Sequence, residues 1–170
     1  MKQLSSAIEN FIERTGKVVS WLSFILVVII GFDVLFRYAF NQSTAALFEL
    51  EWHLFAVLFM IGAAYTLKHD KHVRVDVFYT RFSTKKKAWV NLIGTVFFLI
   101  PFCIVVIKTS IPFVMASHKI MESSADPGGL PYRYIIKSTI PIGTFLLLLQ
   151  AISELLKSLL IISSPSSEYD

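Results

Sequence analysis

A single cysteine, Cys103, is all the thiol this 170-residue chain carries, and it stands inside an apolar stretch. No disulfide within the chain is possible, and catalytic thiol chemistry is not expected there. Charge is also sparse, at 16% of residues, and no Asp, Glu, Lys, Arg or His occupies the middle of any long apolar stretch. A proton or ion relay needs stepping stones across a membrane's centre, so this lack argues against one. Missing too is the matched pair of interrupted apolar segments that marks a transporter with its own substrate site. Pro101, and Pro141 with Gly143, read as kinks within spans.

Apolar length is abundant. Stretches 18–40, 48–67, 90–107 and 138–162 fill half of a chain that is 55% hydrophobic, with a mean hydropathy of +0.64. At 1.5 Å rise per residue, a hydrocarbon core of about 30 Å needs roughly 20 apolar residues. The expected fold is an all-α membrane protein, one domain of four transmembrane helices over 18–40, 48–67, 90–115 and 134–162. The third must tilt, bend at Pro112 or project, because its apolar character continues past Lys108 to Met115. A net charge of +4 comes from basic residues at span ends, which points to membrane orientation and away from nucleic acid.

Eleven of the sixteen Lys and Arg fall on the side that holds residues 1–17, the 68–87 loop and the tail after Leu155. By the positive-inside rule, both termini are expected in the cytoplasm. Trp21, Trp52 and Trp89 lie near span ends, as amphipathic rings prefer. The apolar segment after the first 17 residues is too long for a cleaved secretory signal and has no small-residue site after it, so the segment is expected to be retained. Leu4, Ile8, Phe11 and Ile12 recur at helical spacing, which predicts an amphipathic helix in the membrane interface over 1–17. A frayed terminus is the plainer alternative. After the second span, Val75, Phe78, Tyr79 and Phe82 predict a short interfacial helix beginning near Asp76. His69, His72, Asp70 and Asp76 lack the dense ligand set of a metal site, and none is expected.

Asp33 and Arg37 are one helical turn apart, and Glu49, Glu51 and His53 open the second span at the same membrane level. Asp33 and Arg37 can pair or snorkel toward the periplasm, and Arg37 has a second possible carboxylate partner across the short connection, at Glu49 or Glu51, a pairing that would staple spans one and two. Structural pairing or subunit contact is preferred here over a relay. Farther on, Asp126-Pro127-Gly128-Gly129 signals a turn in a segment that also carries His118, Lys119, Glu122 and Arg133. That segment is either a connector or a polar docking edge.

Taken in order, these residues resemble the DctQ-like small membrane subunit of tripartite ATP-independent periplasmic (TRAP) transporters. The resemblance covers most of the chain. It is carried by Arg37-Tyr38, by Glu49-Leu50-Glu51-Trp52-His53-Leu54-Phe55, by Gly62-Ala63-Ala64-Tyr65-Thr66-Leu67 and by the loop motif His72-Val73-Arg74-Val75-Asp76-Val77. Glu122-Ser123-Ser124, the run from Asp126 to Arg133 and Pro141-Ile142-Gly143 complete it. The resemblance implies a non-enzymatic subunit of the bacterial inner membrane, without a cofactor of its own. It implies a larger membrane subunit as partner, holding the substrate and sodium sites, and a periplasmic binding protein that delivers an organic acid. Arg37, Glu49, Glu51 and Trp52 would stabilise the bundle and its subunit contact, while Glu122, Asp126 and Arg133 would help dock the binding protein. Two other readings stay open: a membrane anchor with b-type haem between His53 and His118, and a self-sufficient small transporter.

Overall fold

Long runs of Leu, Ile, Val and Phe grow into helices longer than a bilayer requires. The computed structural model describes residues 1–41, 44–69 and 82–163, among which there is no strand. Four helices are long and apolar enough to cross a membrane: α1 (Lys2–Phe40), α2 (Ala45–Lys68), α3 (Thr84–Lys119) and α4 (Tyr134–Ser163). A single turn, Tyr134–Lys137, opens α4 before its main run Thr139–Ser163. The helix expected from Asp76, and the His72, Arg74 and Asp76 motif, lie outside the described residues.

The first helix departs from expectation. Residues 1–17 do not form a separate helix but run unbroken into the first span, giving 39 residues and a length of about 58 Å. Gly16 is the one helix-weakening residue near the presumed junction, and its neighbours find partners inside the bundle. Ile12 is buried with Ala64 and Leu146, and Ile8, Tyr65 and Leu149 pack around them. Leu4 and Phe11, the other half of the supposed amphipathic face, point outward. The helix stops at Asn41, whose left-handed φ of 51° makes a helix-ending cap.

In α3 the backbone widens into a π turn at Thr95–Leu99, where the Ile100 N–H reaches back to the Thr95 carbonyl. Pro101 explains the position. A proline cannot donate to the carbonyl four residues back and its ring crowds that carbonyl, so a wider turn just before it relieves both problems. The helix then passes Pro112 and continues to Lys119.

α4 is the hub of the packing. It lies against α1, α2 and α3, α1 and α2 also pack on each other, and the extensive packing of α3 is on α4. Its buried face is made of small and polar groups, including Gly143, Thr144, Ala151, Ser153 and Ser158. Small residues let helix backbones approach where lipid supplies no hydrophobic drive for association. At Gly143 the neighbour is backbone: a Cβ there would lie 2.5 Å from the Met60 backbone oxygen of α2. At the end holding the chain's N-terminus, Ser5 Oγ and Ser153 Oγ bond at 2.7 Å, Glu9 pairs with Lys157, and Glu13 pairs with Lys68 at 2.6 Å and with Lys17 at 3.1 Å.

Two glycines on facing helices test this packing. Gly143→Ala is expected to destabilise the detergent-solubilised chain by about 1–3 kcal/mol, because backbone cannot yield as a side chain can. At Gly62 a Cβ meets nothing within 4 Å. Gly62→Ala should therefore leave the thermal unfolding midpoint unchanged or raise it slightly.

Candidate functional site

The ionisable residues singled out in the sequence gather at one end of the bundle, where α1 ends, α2 begins and the 120–133 segment crosses. Thr44 caps α2 by accepting from the Leu47 N–H at 3.3 Å, which fixes the direction of the helix's opening turns. Glu49 projects from the second of these and is 2% exposed. Such a carboxylate must be met by donors. Leu130 N–H supplies one at 2.6 Å, Arg133 Nη2 another at 3.2 Å, and the Ser124 hydroxyl a third.

The segment is shaped to deliver those donors. Gly129 N–H bonds the Asp126 carbonyl at 3.0 Å and Gly128 takes a φ of 78°, so the Asp-Pro-Gly-Gly turn forms as the sequence predicts. Ser124 Oγ accepts from the Asp126 N–H at 3.1 Å, and Ser124 N–H donates to the Leu130 carbonyl at 3.0 Å. A Cβ on Gly129 would stand 2.8 Å from Glu49 Oε2, so the loop backbone can meet this carboxylate only with glycine there. Arg133 also lies over the Trp52 ring, 5.9 Å from its centroid. Outside this knot, Glu122 pairs with Lys137, and the Lys137 ammonium holds the Glu122 carboxyl below the usual carboxylate range. Met121 and Tyr132, at the two ends of the segment, both adopt left-handed φ, at 46° and 61°. Non-glycine residues hold that conformation at a cost, which the surrounding hydrogen bonds offset.

Arg37 sits elsewhere. Of its candidate partners it takes Asp33, which is 1% exposed, while the guanidinium itself is half exposed. Glu51 is coupled electrostatically to that pair and keeps one buried oxygen without a hydrogen-bond partner. Of the two carboxylates across the connection, Glu49 pairs with Arg133 instead, and Glu51 is the one that feels the Arg37 charge. Asp126 contributes backbone to its turn, and Trp52 supplies the ring under Arg133. His53 bonds the Glu49 carbonyl through Nδ1, and the His118 ring meets Tyr134 edge-on at 4.8 Å.

Sequence reasoning missed Ser124 and Leu130 as partners of Glu49. It also missed the opposite cluster of Ser5, Glu9, Glu13, Ser153 and Lys157. A signal was there in the second case. Ser5, Glu9, Ile12 and Gly16 share one helical face at i, i+4, i+7 and i+11, a small and polar stripe of the kind that packs between membrane helices.

The arrangement ties helices together and presents no group of three or more His, Cys, Asp and Glu side chains placed to hold a metal, among the described residues. The profile of one family, described as the DctQ component of tripartite ATP-independent periplasmic transporters, matches residues 26–160. No curated protein matches the chain.

Removing the charge at the centre should loosen the knot. Glu49→Gln is expected to cost about 2–4 kcal/mol, since it leaves Arg133 partly unpaired, and to expose the 120–133 segment to protease. Arg37→Ala should not expose it. A lowered carboxyl pKa adds stability that is present above the ordinary carboxylate range and lost as pH falls through the lowered value. Acidification should therefore lower the unfolding midpoint of the native chain more steeply than that of Glu122→Gln.

Proposed function

The chain belongs to the DctQ family, the small membrane component of TRAP transporters, and from that premise we propose that it conducts nothing itself and braces a larger membrane subunit. That subunit would hold the sodium and organic-acid sites, and a periplasmic binding protein would bring the solute. Both termini would face the cytoplasm of a bacterium, so the Glu49 knot would face the periplasm. A mobile transport domain needs a part that stays still relative to the bilayer. Helices docked beside it enlarge that part.

One observation carries this reading: several of the bundle's buried polar contacts join one helix to another or to the 120–133 segment. Glu49 is enclosed by its own chain's donors, and Glu9 is tied to Lys157. Gln150, near the middle of α4, donates to Glu154 on the same helix at 3.1 Å. No broken helix opens toward a solute among the described residues. Outward, by contrast, α1 and α3 display Trp21, Phe24, Phe32, Leu35, Phe97, Phe98 and Phe102 to whatever surrounds them. Those faces offer area for lipid and for a partner helix alike.

Co-expression and reconstitution test the proposal. The chain alone in liposomes should show no uptake, whereas the chain together with the larger subunit and the binding protein should show sodium-dependent uptake. Replacing Arg37 and Glu49 together by Ala should abolish uptake by failed assembly, seen as loss of the larger subunit from the purified complex. Normal uptake with full co-purification would sink the assigned role of these residues. Transport by the chain alone would sink the proposal itself.

A further inference from the structure

A groove of about 400 Å³ runs between α2 and the start of α4, and the Proposed function makes no use of it. Trp52, Phe55, Phe59 and Met60 form one wall and Ile136 and Ile140 the other, with Arg133 and Lys137 at the rim. No carboxylate lines it. Glu49 and Glu122 each pair with one of those two cations but do not line the groove, so the charged side chains that reach it are cations alone.

Both cations keep donors to spare. An ammonium has three N–H groups and a guanidinium five. Lys137 gives one to Glu122 and holds its ammonium 4.3 Å from the Phe113 ring centroid. Arg133 gives Nη2 to Glu49. From Trp52 at the rim to Met60 the groove follows α2 for eight residues, about 12 Å along the helix axis. Its cations stand at the end of the bundle where the 120–133 segment crosses, and its apolar walls run along the helices from there. A small soluble ligand would leave those walls empty, and an apolar partner side chain would leave the cations' remaining N–H donors unmet.

We propose that this groove is a phospholipid site, which takes an anionic headgroup phosphate on Lys137 and Arg133 and lays an acyl chain along Phe55, Phe59 and Ile140. The inference does not depend on which solute is transported or on how the larger subunit docks.

Trp52 is its own reporter. In a Trp21→Phe, Trp89→Phe background it is the remaining tryptophan, and bromine on a lipid chain quenches an indole it touches. In phosphatidylcholine vesicles holding a minor fraction of brominated lipid, brominated phosphatidylglycerol should quench Trp52 about fivefold more effectively than brominated phosphatidylcholine. A companion variant keeping only Trp21, which lies on the outer face of α1 and is 70% exposed, should show no preference. Lys137→Gln should erase the preference at Trp52. Because Lys137 also anchors Glu122, Ala56→Leu serves as a second variant that fills the groove and leaves the charges in place, and it should lower quenching by both lipids. Equal quenching by the two lipids at Trp52 would overturn the proposal, as would a preference that survives both variants. A preference that disappears when the larger subunit is co-purified would overturn it too, by assigning the groove to that protein.

Discussion

A carboxylate that is nearly sealed from solvent cannot be left without donors, and Glu49 is such a carboxylate. Its position on the second turn of α2 forces the chain to bring donors to it. The 120–133 segment does so from 75 to 84 residues away along the sequence, with a hydroxyl, a backbone N–H and a guanidinium. Everything at that end of the bundle follows from this requirement. The Asp-Pro-Gly-Gly turn aims the Leu130 N–H, Gly129 leaves room for the carboxylate, and the start of α4 is held beside α2. Two left-handed non-glycine residues are tolerated because the bonds between them are worth more than the strain.

Away from that end, α4 decides the architecture. Its buried face of Gly, Ala, Ser and Thr allows three helices to approach it, and its backbone comes so near Met60 that a methyl group at position 143 has no place. Large side chains are consequently displaced outward. Leu4 and Phe11 of α1 and the phenylalanine rows of α3 lie outward, while Ile12 is kept inside against Ala64 and Leu146. Such a bundle has wide apolar sides.

Much of this was legible in the sequence, for reasons that are local. The number of helices follows from apolar run lengths, the turn at 126–129 from its Pro and Gly, and the Asp33 to Arg37 pair from a spacing of one helical turn. The boundary between residues 1–17 and the first span was misjudged because amphipathic spacing says that one face is apolar without saying what covers it. A surface of lipid headgroups and the side of α4 satisfy the same pattern. The π turn before Pro101 is similarly hidden, since Pro101 alone reads as a kink and does not say how the backbone accommodates it.

By itself, then, the sequence determined that this is a membrane protein of four helices and which of its residues carry charge near their ends, because hydropathy and helical period act over a few turns. Only the tertiary structure decided that Glu49 belongs to Arg133 instead of Arg37, that α4 is the hub, and that α1 runs on along it. Those outcomes depend on which residues distant in sequence meet in space, and a buried charge selects its partner by who can reach it with a donor, not by who stands near it in the chain.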